Sequence, residues 1–162
     1  MILFHGTYDM FLEEIFKDGF LDNSKIGDDT KELNNILIEF LNEDIRGNAI
    51  YLSNTLEGVN GYDYSLNINT NNLNTNLLFV GDNNIIQKIY NLIYSFPLDN
   101  IKKELKILSK EYQKSFISFN NYISNQIEYE STHYPEFLYF GKIKVIMDNE
   151  DELYLRELNS FY

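Results

Sequence analysis

The spacing of the apolar residues changes several times along this chain, and no regular strand–helix–strand repeat results. Residues 2–4 form a short apolar run of the length of a buried strand. From Tyr8 to Phe16 the apolar residues instead recur at i, i+3, i+4 and i+7, as on one face of a helix. Strand-like and helix-like segments in irregular order are typical of α+β folds. The sequence therefore predicts an α+β fold with a split sheet of mixed or antiparallel strands.

Turn and capping residues divide the rest of the chain. Asp9 is a predicted N-cap and Gly19 a predicted stop for the first helix. The Asn-rich residues 67–76 predict a loop, because Asn side chains compete for their own backbone. The sequence also predicts a strand over 49–53, a short helix over 55–64 and a strand over 77–80. A helical block follows at about 83–127 and contains one long helix over 101–123. The last two predicted strands, over 137–146 and 152–158, form a hairpin, and Gly141 is a predicted bulge in the first of them.

Length and composition favour one soluble domain covering residues 1–162. Apolar residues make up 44% of the 162 and aromatics 15%, which is enough for a sizeable core. Cysteine is absent, so disulfides and thiolate metal sites are excluded, and two isolated histidines predict no metal site. The N-terminal residues lack the basic region of a signal peptide, and no apolar stretch approaches the length of a membrane span. We expect a cytoplasmic protein that does not contact a membrane.

The net charge of −12 restricts the partners. A polyanion would be repelled at long range, so direct binding of nucleic acid is not expected. A basic protein surface, or a small ligand in a favourable pocket, remains open as a partner.

Common catalytic motifs are absent from the sequence. The chain contains no H-E-x-x-H, G-x-G-x-x-G, Walker A or G-x-S-x-G pattern. Polar residues at or within predicted strands remain: His5, followed by Gly6, and Tyr51 between Ile50 and Leu52. Taken alone, His5 is more often a histidine in a tight turn and Tyr51 a core tyrosine. A glycine after a strand nevertheless permits close approach of a ligand to the backbone.

The order of these segments resembles the ADP-ribosyltransferases of the diphtheria-toxin and poly-ADP-ribose polymerase type, over residues 1–66. That family carries a His-Tyr-Glu triad on three strands. Its first motif, apolar-His-Gly-Ser/Thr, is similar to residues 4–7, Phe-His-Gly-Thr. Its second, Gly-Ile-Tyr-Phe followed by a helix with a further tyrosine, is similar to residues 49–52 with Tyr62, although Ala49 replaces Gly. The family's nicotinamide-contacting serine falls near Val59, where Asn60 or Ser65 could substitute.

The resemblance implies the family's fold, with a helical insertion at about 83–127, and NAD⁺ as substrate. It implies that His5 binds the adenosine ribose, that Gly6 binds the carboxamide, and that Tyr51 and Tyr62 enclose the nicotinamide ring. Thr7 and Ser53 would contribute to the same NAD⁺ site. The catalytic glutamate is assigned to Glu152, in the segment Asp-Glu-Leu-Tyr-Leu, with Glu150 and Glu136 as alternatives.

The implied activity is mono-ADP-ribosylation of a protein with a basic surface. Small transferases of this kind occur as bacterial toxins and as phage effectors that disable host machinery, including nucleic-acid-handling proteins. An NAD⁺ glycohydrolase and a non-catalytic acidic inhibitor are the alternatives. A tRNA 2′-phosphotransferase ranks below them, because the chain has only 13 Lys and Arg.

Overall fold

The computed structural model describes residues 1–23, 28–125, 135–145 and 153–157 of the chain. Its class is α+β, as predicted, with a mostly antiparallel sheet and five α-helices in the described part. In chain order the elements are β1 (Ile2–Thr7), α1 (Asp9–Asp18), β2 (Phe20–Leu21), α2 (Asp28–Leu41), β3 (Ile50–Ser53), β4 (Tyr64–Asn69), β5 (Leu78–Asp82), α3 (Asn83–Ser95), α4 (Leu98–Ser115), β6 (Ile117–Ser118), α5 (Phe119–Ser124), β7 (Pro135–Tyr139), β8 (Ile143–Lys144) and β9 (Leu153–Glu157).

The chain divides into two compact units. The first unit comprises Met1–Lys25, Asn48–Leu78 and Phe137–Tyr162, and the second comprises Ile26–Gly47 and Phe79–Glu136. In the first unit the part of β7 from Phe137 onward is followed by β3, β1, β4 and β9, side by side in that order, and β2 pairs with β8 in a separate two-stranded sheet.

The first helix forms as predicted except at its cap, but the first strand is longer than predicted. The strand expected over residues 2–4 extends to Thr7, so the interpretation of His5 and Gly6 as a turn after the strand is wrong. Helix α1 ends at Gly19, which adopts φ 69° and donates its N–H to the Ile15 carbonyl at 3.0 Å. The prediction of Asp9 as N-cap is wrong, because Tyr8 holds that position without a side-chain cap. The carboxylate of Asp63 instead accepts the Asp9 backbone N–H at 3.0 Å. The beginning of the helix is therefore capped by a residue 54 positions away in sequence.

The region between residues 55 and 76 differs most from the prediction. The short helix over 55–64 is wrong, because only a 3-10 turn at Glu57–Val59 forms before Gly61, which has φ 101°. The loop over 67–76 is also wrong in its first part, since β4 runs to Asn69. Residues 65–69 alternate polar and apolar, and Leu66 and Ile68 are each 1% exposed. Because apolar residues recur at every second position, one side of β4 packs in the core, and this burial outweighs the turn preference of its asparagines.

The pairing of β1 with β4 defines two faces of the sheet. The register runs from Ile2 opposite Asn69 to Thr7 opposite Tyr64. Directly opposed residues share a face, and successive residues alternate. One face carries Leu3, His5 and Thr7 with Leu66 and Ile68. We call the other the Gly6 face, and its members are Phe4, Gly6, Ser65 and Asn67.

The second unit has its own core, built from three helices. Helices α2, α3 and α4 pack through a cluster of buried residues: Leu33, Ile36, Leu37, Ile85, Ile86, Ile89, Ile101, Leu105, Leu108 and Tyr112. Strands β5 and β6 pair antiparallel, and the rings of Phe79 and Phe116 stack at 5.1 Å beside them. Helices α3 to α5 span the predicted helical block, and α2 joins them in this unit.

The predicted helix over 101–123 is wrong, because it is divided. Helix α4 ends at Ser115, whose hydroxyl donates to the Tyr112 carbonyl at 2.7 Å and accepts the Asp82 N–H at 3.1 Å. Phe116 is extended, and the Ser118 hydroxyl then caps α5 by accepting the Asn121 N–H at 3.3 Å. Local hydrogen bonds of serine therefore interrupt an apolar pattern that would otherwise continue a helix.

The C-terminal strands do not form the predicted hairpin. Strand β7 ends at Tyr139, β8 pairs with β2, and β9 pairs with β4. Gly141 lies between β7 and β8 rather than in a bulge within one strand, and a Cβ there would overlap the Tyr139 ring. Within the described ranges, no helix has the length and apolar character needed to cross a membrane.

Candidate functional site

Gly6 lies in the middle of three adjacent strands of the first unit. It is buried on β1, and its partner on β4 is Ser65. On the other side, β1 pairs antiparallel with β3 through Phe4 and Ser53. Strand alternation from Ser53 places Tyr51 on the same face as Phe4 and Gly6. The motif residue Gly6 is thus flanked by Tyr51 and Ser65.

Tyr62 covers Gly6 on this face. A Cβ built on Gly6 would overlap the Cγ and Cδ2 atoms of the Tyr62 ring. The ring is also held from the side by Tyr8, with centroids 5.0 Å apart and planes tilted by 43°. Tyr62 belongs to an isolated bridge with Asn60 and not to a helix, so its predicted helical context is wrong. The expected proximity of Tyr62 to the His-Gly motif is nevertheless present.

Replacing Gly6 with alanine is expected to destabilise the chain by about 1–3 kcal/mol, the usual cost of overpacking. The added methyl group would meet the base of the Tyr62 ring, which cannot yield as the end of a flexible side chain would. Urea denaturation of Gly6→Ala, Tyr62→Ala and the double variant measures this. The cost of Gly6→Ala should shrink when Tyr62 is absent. Equal costs in both backgrounds would show that Tyr62 is not what requires glycine here.

His5 contacts the backbone of the second motif. Its Nδ1 lies 2.9 Å from the Tyr51 carbonyl oxygen. Since a carbonyl only accepts, Nδ1 carries the proton in this contact, and Nε2 of the neutral ring is an acceptor. Burial lowers the pKa of His5, and the hydrogen bond to Tyr51 opposes this shift only in part. Successive residues of a strand alternate between the two faces of the sheet, so the His5 side chain emerges on the face opposite the Gly6 face. His5 and Tyr51 therefore do not share a face.

The lowered pKa of His5 predicts a pH dependence of stability. The unfolded chain binds a proton near the ordinary pKa of about 6.5, whereas the folded chain resists protonation. The free energy of unfolding should therefore decrease as the pH falls below about 6.5. His5→Asn preserves a donor for the Tyr51 carbonyl and does not titrate. Denaturation curves between pH 7.5 and 5.5 should show a steeper loss for the parent chain than for His5→Asn, and equal slopes would contradict the assignment.

Ser53 and Thr7 use their hydroxyl groups locally. Ser53 Oγ accepts the Thr55 N–H at 3.0 Å and lies 3.4 Å from Thr55 Oγ1, at the start of the 3-10 turn. Thr7 is 3% exposed, and its hydroxyl lies 3.5 Å from the Tyr8 carbonyl. Both residues were expected to contribute to an NAD⁺ site. The structure gives Ser53 a role in shaping the loop that carries Tyr62.

Two polar atoms on the Gly6 face have no hydrogen bond to the part of the chain that the structure describes. Ser65 Oγ and Asn67 Oδ1 are buried and have no hydrogen-bond partner in the described chain. An unsatisfied buried polar group costs about 1–3 kcal/mol, so such groups in a native fold call for an explanation. Ser65 was one of the residues expected to replace the family's serine. Asn67 was missed, because the Asn-rich segment around it was interpreted as a loop.

The candidate glutamates differ in what the structure shows of them. Glu152 and Glu150 lie outside the described residues, immediately before β9. Glu136 belongs to the second unit and is 7% exposed. Its Oε1 accepts from Arg46 Nη2 at 2.6 Å and from Arg46 Nε at 2.9 Å. Arg46 also donates to Asn34 at 3.0 Å and lies 5.9 Å from the Tyr112 ring centroid. Glu136 is thus the anion of a buried ion pair.

No group of three or more His, Asp or Glu side chains in the described ranges is placed to hold a metal ion.

In comparisons with known proteins, the chain matches no family model, no curated protein and no solved structure.

Proposed function

We propose that the chain is an NAD⁺-dependent mono-ADP-ribosyltransferase with the fold of that family, whose nicotinamide pocket is the Gly6 face. One observation carries the proposal. Gly6 lies on the central strand with Tyr51 and Ser65 on its two neighbours, and the Tyr62 ring packs directly on it. Residues from three separate segments of the chain therefore meet at the motif glycine.

The residues suit the chemistry of nicotinamide. Its ring is planar and cationic in NAD⁺, and stacking on tyrosine provides about 1 kcal/mol or more per face when water is excluded. The backbone of Gly6 and the Ser65 hydroxyl offer hydrogen-bonding groups for the carboxamide. The neutral His5 ring binds the Tyr51 carbonyl through Nδ1 and so positions the strand that carries Tyr51, whereas its Nε2 is an acceptor on the face opposite the Gly6 face.

In the reaction, the bond between the nicotinamide nitrogen and the anomeric ribose carbon breaks. Its electron pair goes to the ring nitrogen, so that neutral nicotinamide leaves, and the ribose carbon develops positive charge as in glycoside cleavage. A nucleophile of the target protein then bonds to that carbon and loses its proton. The Glu152 carboxylate stabilises the developing charge and orients the nucleophile.

The net charge of −12 supports a protein target with a basic surface. We further propose action in the cytoplasm, as a bacterial toxin or a phage effector directed at a nucleic-acid-handling protein.

Incubation with labelled NAD⁺ and a bacterial lysate tests the activity, with His5→Ala as the control. A transferase labels a discrete protein band, and His5→Ala labels it weakly. Release of nicotinamide without any labelled macromolecule would indicate an NAD⁺ glycohydrolase instead. If the chain neither binds nor consumes NAD⁺, the enzyme proposal fails, and NAD⁺-independent binding to a basic partner would support the inhibitor alternative.

A further inference from the structure

Ser65 and Asn67 together mark a second position on the Gly6 face. Both carry a buried polar atom that lacks a partner among the described residues, namely Ser65 Oγ and Asn67 Oδ1. Ser65 is fully buried, at 0% exposure. One orphaned group could be an accident of packing. Two of them on one face of one strand point to a ligand that supplies both hydrogen bonds.

The strand fixes the separation between these two groups. Residues i and i+2 lie on the same face, and each residue adds about 3.3–3.4 Å along the strand. The two positions are therefore about 6.7 Å apart along β4. On β1, Gly6 lies opposite Ser65 and Phe4 lies opposite Asn67. A ligand that has one end at Gly6 and Ser65 extends along the strand towards Phe4 and Asn67.

The chemistry of Asn67 selects the ligand group at the second position. A carbonyl oxygen accepts and cannot donate, so it requires a hydroxyl or an N–H. Phosphate oxygens are acceptors at neutral pH and do not fit Oδ1. A flat ring whose amide is bound at Ser65 has no second hydrogen-bond donor that would reach Asn67, about 6.7 Å further along β4. The hydroxyl groups of a ribose attached to that ring are donors at this distance.

We infer that Asn67 is a specificity residue, which accepts a hydrogen bond from a hydroxyl of the ribose attached to the ring bound at Gly6 and Ser65. This inference rests on the proposed function. Ser65 and Asn67 then distinguish a nucleoside from a free base: Ser65 contacts the ring amide, and Asn67 contacts the sugar. Asn67 thereby orients the ribose whose anomeric carbon reacts.

Calorimetric titration of the purified chain with nicotinamide, nicotinamide riboside and NAD⁺ tests the inference. In Asn67→Leu the affinity for the riboside and for NAD⁺ should fall about tenfold, equivalent to about 1.4 kcal/mol. The affinity for free nicotinamide should stay within about twofold, because that ligand reaches only Ser65. Ser65→Ala should weaken all three ligands. The melting temperature of Asn67→Leu should not fall, because an orphaned polar atom is replaced by an apolar one.

Asn69→Ala is the matched control, because Asn69 lies on the same face but its Oδ1 already accepts the Asn71 N–H at 3.0 Å. It should bind all three ligands as the parent chain does. If Asn67→Leu does not fold, Asn67→Ala replaces it in the same titrations. An unchanged affinity for NAD⁺, or an equal loss for nicotinamide and NAD⁺, overturns the role of Asn67 while leaving the proposed function intact. Binding of none of the three ligands by the parent chain overturns both.

Discussion

Replacing Glu152 with alanine is expected to lower the rate of ADP-ribose transfer by about 10²–10³, the usual effect of losing a group that stabilises transition-state charge. The binding of NAD⁺ should survive, because the residues proposed to hold nicotinamide are in other segments of the chain. Single-turnover transfer from labelled NAD⁺ and equilibrium binding of NAD⁺ measure the two quantities separately. A variant that loses both would indicate a binding or structural role for Glu152.

Glu150→Ala is the matched comparison for Glu152. The two carboxylates are two residues apart and carry the same charge, so that non-specific effects of charge removal should be alike. Nearly normal transfer by Glu150→Ala, with loss in Glu152→Ala, identifies the catalytic group. The opposite pattern moves the assignment to Glu150. Strong residual activity in both variants would leave Glu136 as the remaining alternative.

Breaking the Arg46–Glu136 pair is expected to cost the second unit about 3–5 kcal/mol of unfolding free energy. The side chains are only 5% and 8% exposed, so that Glu136→Gln or Arg46→Met leaves an unpaired charge away from water. A single domain has about 5–15 kcal/mol in total. Either variant should therefore bring the unit close to unfolding at ordinary temperature, as measured by urea denaturation.

A double-variant cycle separates the ion pair from general damage. Arg46→Met combined with Glu136→Gln removes both charges, so the double variant should lose less stability than the sum of the two single losses. Lys102→Ala is the exposed control, because Lys102 and Asp99 are 57% and 87% exposed and such pairs contribute about 0–1 kcal/mol. Additive losses would contradict the pairing. If the transfer activity of Glu136→Gln declines only in step with its unfolding, the role of Glu136 is structural.

Local patterns predicted the parts of the fold whose contacts are local. Helix α1 and its stop at Gly19 follow from the spacing of apolar residues and from one glycine, and both were found as predicted. Strand β4 was missed because the turn preference of its asparagines was given more weight than the alternation of residues 65–69. The pairing with β1 decides the conformation there, and β1 lies about sixty residues earlier in the chain.

In the candidate site, too, local motifs were predicted from the sequence, whereas contacts with residues distant in sequence were not. Gly6, Tyr51 and Tyr62 were selected by resemblance, and the first unit places all three around one strand position. The His5 side chain emerges on the face opposite the Gly6 face. This placement depends on strand register, which the motif does not reveal. The partner of Glu136 lies 90 residues away, and nothing near Glu136 in the sequence indicates Arg46.

The two units are both discontinuous in sequence, which has a consequence for the order in which a growing chain can fold. The last residues of the second unit emerge with Glu136, before β9 has been made. Between the end of β4 and the start of β9 lie the 83 residues numbered 70 to 152. At about 5–20 residues per second, their synthesis takes roughly 4–17 s. During that interval the outer edge of β4 has no partner, and an open strand edge is a site for pairing with other chains.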